Sequence, residues 1–263
     1  MEIDLSPFRA LVGGSTAGIG LAIARQLALS GAEVVLLARD AIKCENVLFT
    51  LSTDYGQIHD YIVADQSNPE QLSERLHDYL STTNNPFHIV INNTGGPAPG
   101  PLHKANSNEL SGAFNQHIIA SHLIMQACLP GMMEAGYGRI INIISTSVKA
   151  PLPNLGVSNT IRAAMANWSK TLANELASYG ITVNNILPGA TDTDRLKNII
   201  STKASHLKLT YDAVADEMKS EIPAGRFGLP EEIANAAVFL ASPLASYING
   251  INLPVDGGRT PSL

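Results

Sequence analysis

Short runs of aliphatic and β-branched residues alternate along the chain with longer stretches whose apolar positions recur every three or four residues. Ala10-Leu11-Val12 reads as a first buried strand, followed by a glycine-rich turn and a helix that places Ile19, Ile23 and Leu27 on one face and stops at Gly31. Val34–Leu37, Tyr61–Val63 and Ile89–Ile91 give three more strands, apolar at nearly every position, as strands covered on both faces are. Ile140–Ile144, Thr182–Ile186 and Ile251–Val255 complete seven, and Pro254 suits an edge because it cannot donate to a ladder. Asn68-Pro69-Glu70-Gln71 predicts a helix start, with a capping side chain, a proline at the first helical position and a glutamine at the third. This alternation predicts βαβ units around a parallel sheet. Residues about 191–228 break the rhythm: polar, helix-prone and without a strand, they are expected to form a substrate lid beside the carboxyl ends of the strands. The chain contains no internal repeat or low-complexity tract.

Composition narrows the field. A chain of 263 residues exceeds the usual ~100–200 for one domain, yet an α/β domain covered on both faces reaches that size, so residues 1–263 are expected to form one domain. With 45% hydrophobic and 15% charged residues, disorder and collagen-like structure are excluded. Lys+Arg 17 against Asp+Glu 23 gives a net charge of −6 with no long basic run, which argues against a nucleic-acid or anionic-membrane partner. Cys44 and Cys128 are too few for a disulfide framework, and Met1-Glu2-Ile3-Asp4 lacks the regions of a signal peptide. No uninterrupted apolar stretch reaches the ~20 residues that span a bilayer. The expectation is a cytoplasmic protein.

Gly13-Gly14-Ser15-Thr16-Ala17-Gly18-Ile19-Gly20 lies between the first strand and its helix, where a tight turn brings backbone amides against a phosphate. No Gly-Lys-Ser/Thr follows, so it is not a P-loop, and its spacing differs from GxGxxG. The alternative is a turn that needs glycine only for positive φ or close packing.

Gly14-x3-Gly18-Ile19-Gly20, Asp65, Asn92-Asn93-Thr94-Gly95, Ser145 and Pro188-Gly189-x3-Thr193, each after its own strand, together resemble the short-chain dehydrogenase/reductase superfamily. Gly228-Leu229-Pro230-Glu231-Glu232-Ile233-Ala234, Phe239-Leu240-Ala241-Ser242 and Val255-Asp256-Gly257-Gly258 are similar to its 3-oxoacyl-carrier-protein reductase branch. The resemblance implies a three-layer α/β Rossmann fold, a seven-stranded parallel sheet with helices on both faces, assembled as a homotetramer or dimer. It implies a dinucleotide held by Gly14, Thr16, Gly18, Ile19, Gly20, Asp65, Asn93, Gly95, Pro188, Gly189, Thr191 and Thr193, with Asp65 on the adenine amino group. An NAD site would carry a carboxylate at the end of the second strand. Here Ala38-Arg39 leaves room and charge for a 2′-phosphate, so NADP(H) is expected over NAD(H). The competing readings are that Arg39 stacks on adenine, or is solvated while Asp40 takes the ribose.

The proton-transfer residues depart from the family. Its members pair a tyrosine proton donor with a lysine four residues later, a serine on the carbonyl oxygen and an asparagine that anchors a relay water. Ser145 fits the serine, but the same register puts Ser158 and Arg162 in the tyrosine and lysine places and His117 in that of asparagine. A phenol has a pKa near ~10 and can be tuned, whereas an aliphatic hydroxyl is far less acidic. Arg162 keeps a cation that can clasp the nicotinamide ribose but cannot relay a proton. Losing a positioned general acid removes about 10²–10⁴ in rate. His117, with an ordinary pKa near ~6.5, is the candidate replacement donor, against the plainer reading of a hydrogen-bonded helix histidine. Lys149 is a second cation near Ser145, and Pro97, Pro99 and Pro101 stiffen the loop after the fourth strand.

These features point to an NADP(H)-dependent reductase acting on a carbonyl, 3-oxoacyl-like or a small ketone or aldehyde, by an atypical proton path. The alternatives are a non-catalytic dinucleotide-binding regulatory or partner subunit, and dehydration or isomerisation on the same scaffold. An acyl-carrier protein is acidic and needs a basic docking patch. Glu134, Gly136, Tyr137 and Tyr179 supply no positive charge around Arg139, while the lid's Arg195, Lys197, Lys203 and Lys208 offer cations that can serve instead. A free small carbonyl compound is at least as well supported as an acyl thioester.

Overall fold

The structure, a computed structural model, describes residues 3–83 and 85–262. Seven strands form one parallel sheet in the order β3-β2-β1-β4-β5-β6-β7: β1 Arg9–Gly13, β2 Glu33–Ala38, β3 Asp60–Val63, β4 Ile89–Asn92, β5 Gly138–Ile143, β6 Ile181–Pro188 and β7 Asn252–Val255. The order reverses between β1 and β4, which opens a crevice at the carboxyl ends of the strands. Helices α1 Gly18–Leu29, α2 Ala41–Leu48, α3 Pro69–Thr83, α4 Ser107–Phe114, α5 Ala120–Ala135 and α6 Gly156–Leu176 connect them, with α7 Asp194–Leu207, α8 Tyr211–Ser220 and α9 Pro230–Ala241 before β7. Pro254 lies on the edge strand β7.

Near-continuous apolar strands follow from the two cores. Ala10, Val12, Val34, Leu36, Ile89, Ile91 and Ile141 face α1 and α9, whereas the intervening Leu11, Val35, Leu37, Val90 and Ile140 face α3, α5 and α6. Ile23 and Leu27 of α1 are fully buried in the first core, each stabilising the fold by about 1.5–3 kcal/mol. The run Ser107–Ala135 passes from α4 through a π turn, Asn115–Ile119, into α5. By length and composition it meets the requirement for a bilayer span, which no unbroken apolar stretch of the sequence did. Here it packs on the sheet, with Ile124, Cys128 and Met132 in the second core.

A buried ladder of amides fixes α6 to the sheet. Asn92 donates to Asn142 at 2.8 Å, Asn142 donates to Asn185 at 3.0 Å and to Ser169 of α6 at 2.8 Å, and Asn185 donates to Asn252 at 2.8 Å. These four asparagines are register partners on β4, β5, β6 and β7. A buried amide left without a partner costs about 1–3 kcal/mol, so the ladder specifies both strand register and the seat of α6.

The segment after β6 folds into α7 and α8 around a small core of its own: Leu196, Ile200, Ala204, Val214 and Ala215. Its ends meet, because Gly228 donates to Ala190 O at 2.9 Å and Asp192 donates to Gly228 O at 2.8 Å. Its two ends are thus joined by a single parallel bridge between Thr191 and Gly228.

Candidate active site

The turn between β1 and α1 is shaped for an anion. Gly14 and Gly18 have φ of 57° and 54°, in the left-handed region that suits glycine. A Cβ on Gly20 would stand 2.2 Å from the Gly14 carbonyl oxygen, so the helix can approach the turn only without a side chain there. Asn93 donates to Gly13 O at 3.1 Å and to Gly14 O at 3.4 Å, which makes it a brace for the turn. The first turn of α1 carries no capping side chain and no acid, leaving its N–H groups open. Ser15 Oγ, fully buried, has no hydrogen-bond partner among the described residues. Open amides at a positive helix end beside an orphaned hydroxyl fit a cofactor phosphate, an interaction worth about 0.3–1 kcal/mol from the helix dipole alone.

At the end of β2, Asp40 is engaged as the cap of α2, accepting from Lys43 N at 3.1 Å. One Asp40 oxygen is thus committed to capping the helix. Arg39 is largely exposed and its contact to Asp65 is 3.9 Å; such a surface pair contributes only about 0–1 kcal/mol, so it does not commit the guanidinium. Burial pulls the Asp65 carboxyl upward, but hydrogen bonds from the Ser67 N–H and hydroxyl, with Arg39 nearby, bring it below its ordinary value. Gln71 departs from the expected capping arrangement. Asn68 caps α3 by accepting from Gln71 N at 3.1 Å, while the Gln71 side chain accepts from Asp65 N at 2.9 Å and orients the Asp65 loop.

Around the tips of β4, β5 and β6 the sequence-predicted residues converge. Ser145, just past β5, accepts from Ser147 N at 3.1 Å, which leaves its hydroxyl hydrogen to donate. Ser158, half-buried, and Arg162, buried, lie one turn apart in α6. Arg162 Nη1 donates to Ile143 O at 2.9 Å, anchoring the guanidinium under the end of β5. Gly189 donates to Val255 O at 3.0 Å and Thr191 to Gly189 O at 3.1 Å, setting the loop that follows Pro188. Thr193 caps α7 by accepting from Leu196 N at 3.4 Å, and its methyl group would be 3.4 Å from a Cβ on Gly18. The segment after β6 thus begins against the glycine turn.

His117 sits in the π turn, 3% exposed, with Nδ1 2.7 Å from Thr94 Oγ1. Burial, then the charges of Arg162 and Arg195, push its pKa down to about 3. This corrects the expectation of an ordinary histidine poised to hand over a proton as imidazolium: at neutral pH the ring is uncharged, with one nitrogen donating and the other accepting. Burial and Arg195 likewise pull Arg162 down to about 10, so it remains charged at pH 7.

Two contributors were not singled out for catalysis in the sequence. Thr94, inside the Asn-Asn-Thr-Gly turn, is the partner of His117. Arg195, at the start of α7, donates to Gly96 O at 3.3 Å, next to Gly95, whose carbonyl accepts from Gln116 at 3.2 Å. The loop is also tied to the start of α6, with Gly100 donating to Asn154 O at 2.8 Å and Gly156 to Gly100 O at 3.0 Å. Arg139, by contrast, is buried: it donates to Gly138 O at 2.8 Å and Gly180 O at 3.1 Å and stacks on Tyr137 at 4.1 Å. It offers no docking charge.

A family model described as Enoyl-(Acyl carrier protein) reductase matches residues 14–260. The chain is 32% identical over 249 residues to the 3-oxoacyl-[acyl-carrier-protein] reductase of Chlamydia trachomatis, covering 95% of this chain and 96% of the relative. It is 30% identical over 260 residues to the gluconate 5-dehydrogenase of Gluconobacter oxydans, covering 99% and 97%. Among solved structures, L-sorbose reductase from Gluconobacter frateurii, complexed with NADPH and L-sorbose, is similar over 100% of both chains with a TM-score of 0.93 at 30% identity.

Proposed function

Since the chain belongs to the short-chain dehydrogenase/reductase family and is an oxidoreductase of that type, we propose that it is an NADP(H)-dependent carbonyl reductase whose proton path does without the tyrosine and lysine. The observation that carries this reading is the pairing of an anion-ready glycine turn with Ser145, Arg162 and the Thr94–His117 hydrogen bond at the strand tips. When bound, the nicotinamide cofactor supplies the hydride. Arg39, uncommitted at the end of β2, is placed to take the 2′-phosphate, with Asp65 beside it for the adenine. The sorbose reductase relative holds NADPH, which agrees with this preference.

Ser145 donates its hydroxyl hydrogen to the carbonyl oxygen, and Arg162 supplies fixed positive charge as that oxygen becomes negative. Ser158 in the tyrosine place is too weak an acid to take over, so the proton arrives by exchange along Thr94 and neutral His117, a hydroxyl and an imidazole that each donate and accept. The test is NADPH oxidation with a panel of ketones, aldehydes and 3-oxoacyl thioesters. The reading expects turnover that His117→Ala and Ser145→Ala abolish while NADPH binding stays near normal. Full turnover in His117→Ala returns that residue to a structural role. The non-catalytic alternative draws on the loss of tyrosine, lysine and asparagine together, and it predicts turnover only in the Ser158→Tyr plus Arg162→Lys variant.

A further inference from the structure

Two guanidinium groups from distant parts of the chain flank the reacting end, and neither has an acidic partner among the described residues. Arg162 is 8% exposed and donates from Nη1 to Ile143 O. Arg195 reaches from the first turn of the lid helix α7 to the loop after β4, where Nη1 donates to Gly96 O and Nη2 would stand 2.6 Å from a Cβ on Gly96. Both charges are near enough to His117 to depress its protonation, and Arg195 depresses that of Arg162. Among the described residues, the lysine and arginine ion pairs involve Arg9, Arg39, Arg226, Arg259 and four lysines, and none includes Arg162 or Arg195.

Burying the Arg162 cation without a counter-charge is costly, and the charge of the nearby, exposed Arg195 adds to that cost. The missing charge fits a group that arrives with the substrate. A carboxylate suits the vacancy in chemistry, because a guanidinium presents paired N–H donors in the plane that two carboxylate oxygens accept. The cofactor's diphosphate does not meet this need, as the open amides of α1 and the orphaned Ser15 hydroxyl provide for it at the glycine turn. Glycine at 96 serves the same arrangement, since any side chain there would displace the Arg195 guanidinium.

We propose that Arg162 and Arg195 form a carboxylate-binding site, so that the substrate is a carbonyl acid rather than a neutral ketone. The substrate assignment rests on the carbonyl-reductase reading above; the anion site does not. Arg195 is the specificity-determining residue of the pair, reaching the site from the first turn of α7.

The test has two arms, both on the full chain. In the first, NADP+-loaded protein is titrated by calorimetry with malonate and, as the uncharged control, malonamide. Binding of malonate alone, weakened about 10-fold or more by Arg195→Gln and less by Arg195→Lys, with NADP+ affinity unchanged, is the expected result. Arg162→Gln removes a buried anchor and can unfold the chain, so Arg195 decides. In the second arm, NADPH oxidation is followed with a 3-oxo acid and its methyl ester. The acid should be favoured about 10-fold or more in kcat/KM, and Arg195→Gln should erase the preference through KM. Equal turnover of acid and ester, with no malonate binding, overturns the carboxylate site and leaves the reductase reading standing. Arginine-dependent malonate binding with no turnover of any carbonyl compound upholds the anion site and overturns the reductase reading. Absence of both overturns both.

Discussion

The Arg195 guanidinium lies across the backbone of Gly96, donating to its carbonyl at 3.3 Å and filling the space a side chain would need. Gly96 has no positive φ, and the atoms a Cβ would meet are the far end of a flexible side chain. Gly96→Ala should therefore cost under about 1 kcal/mol of stability while lifting Arg195 off the loop. The expected outcome is an almost unchanged Tm with KM raised toward that of Arg195→Gln. Unchanged KM in both variants would show that the Arg195–Gly96 contact has no part in substrate binding.

His117 gives a pH signature. Its pKa is about 3 folded against 6.5 for the ordinary group, so the unfolded chain binds the extra proton across that interval. Stability from His117 is fully present above pH 6.5 and is lost as pH falls toward 3. His117→Asn should flatten this acid limb, measured as Tm against pH. The same shift predicts that kcat shows no ionisation near ~6.5 attributable to His117, since the ring is already neutral there. A limb at that pH that vanishes in His117→Asn would show the imidazolium to be the donor after all.

Arg39 sets cofactor choice. Arg39→Ala should weaken NADPH binding about 10-fold or more and leave NADH little changed, read by nucleotide fluorescence, because only the 2′-phosphate needs the guanidinium. Equal affinity for the two nucleotides in the unaltered protein would remove Arg39 from this role.

Gly20→Ala should damage the phosphate turn. Its Cβ would lie 2.2 Å from backbone and 2.6 Å from Asn93 Nδ2, and neither can move without opening the turn. A loss of about 1–3 kcal/mol, with nucleotide affinity falling along with it, is expected from overpacking on this scale. Normal denaturant stability and normal binding would contradict the geometry.

The sheet and glycine turn were legible in the sequence because strands buried on both faces must be apolar throughout, and because Gly14, Gly18 and Gly20 mark a turn that needs left-handed φ at the first two and no side chain at the last. Strand ends were less visible. β5 begins at Gly138, before the apolar run, since Arg139 enters the sheet by bonding to carbonyls and stacking on Tyr137. The state of His117 was not readable from its position, because it depends on burial in a π turn and on two arginines that only the fold brings near. Arg195 looked in sequence like one of several lid cations, and its reach to Gly96 depends on where the fold seats the start of α7 beside the loop after β4. Gln71 satisfied a local capping pattern but serves Asp65 instead, a tertiary choice that spacing does not encode.

The most direct test of the account is NADPH oxidation by the unaltered protein with a carbonyl acid, run beside Ser145→Ala and the Ser158→Tyr plus Arg162→Lys double variant. Turnover by the unaltered protein that Ser145→Ala abolishes, with NADPH affinity intact, is the expected result. No turnover by the unaltered protein, with activity appearing only in the double variant, would contradict it.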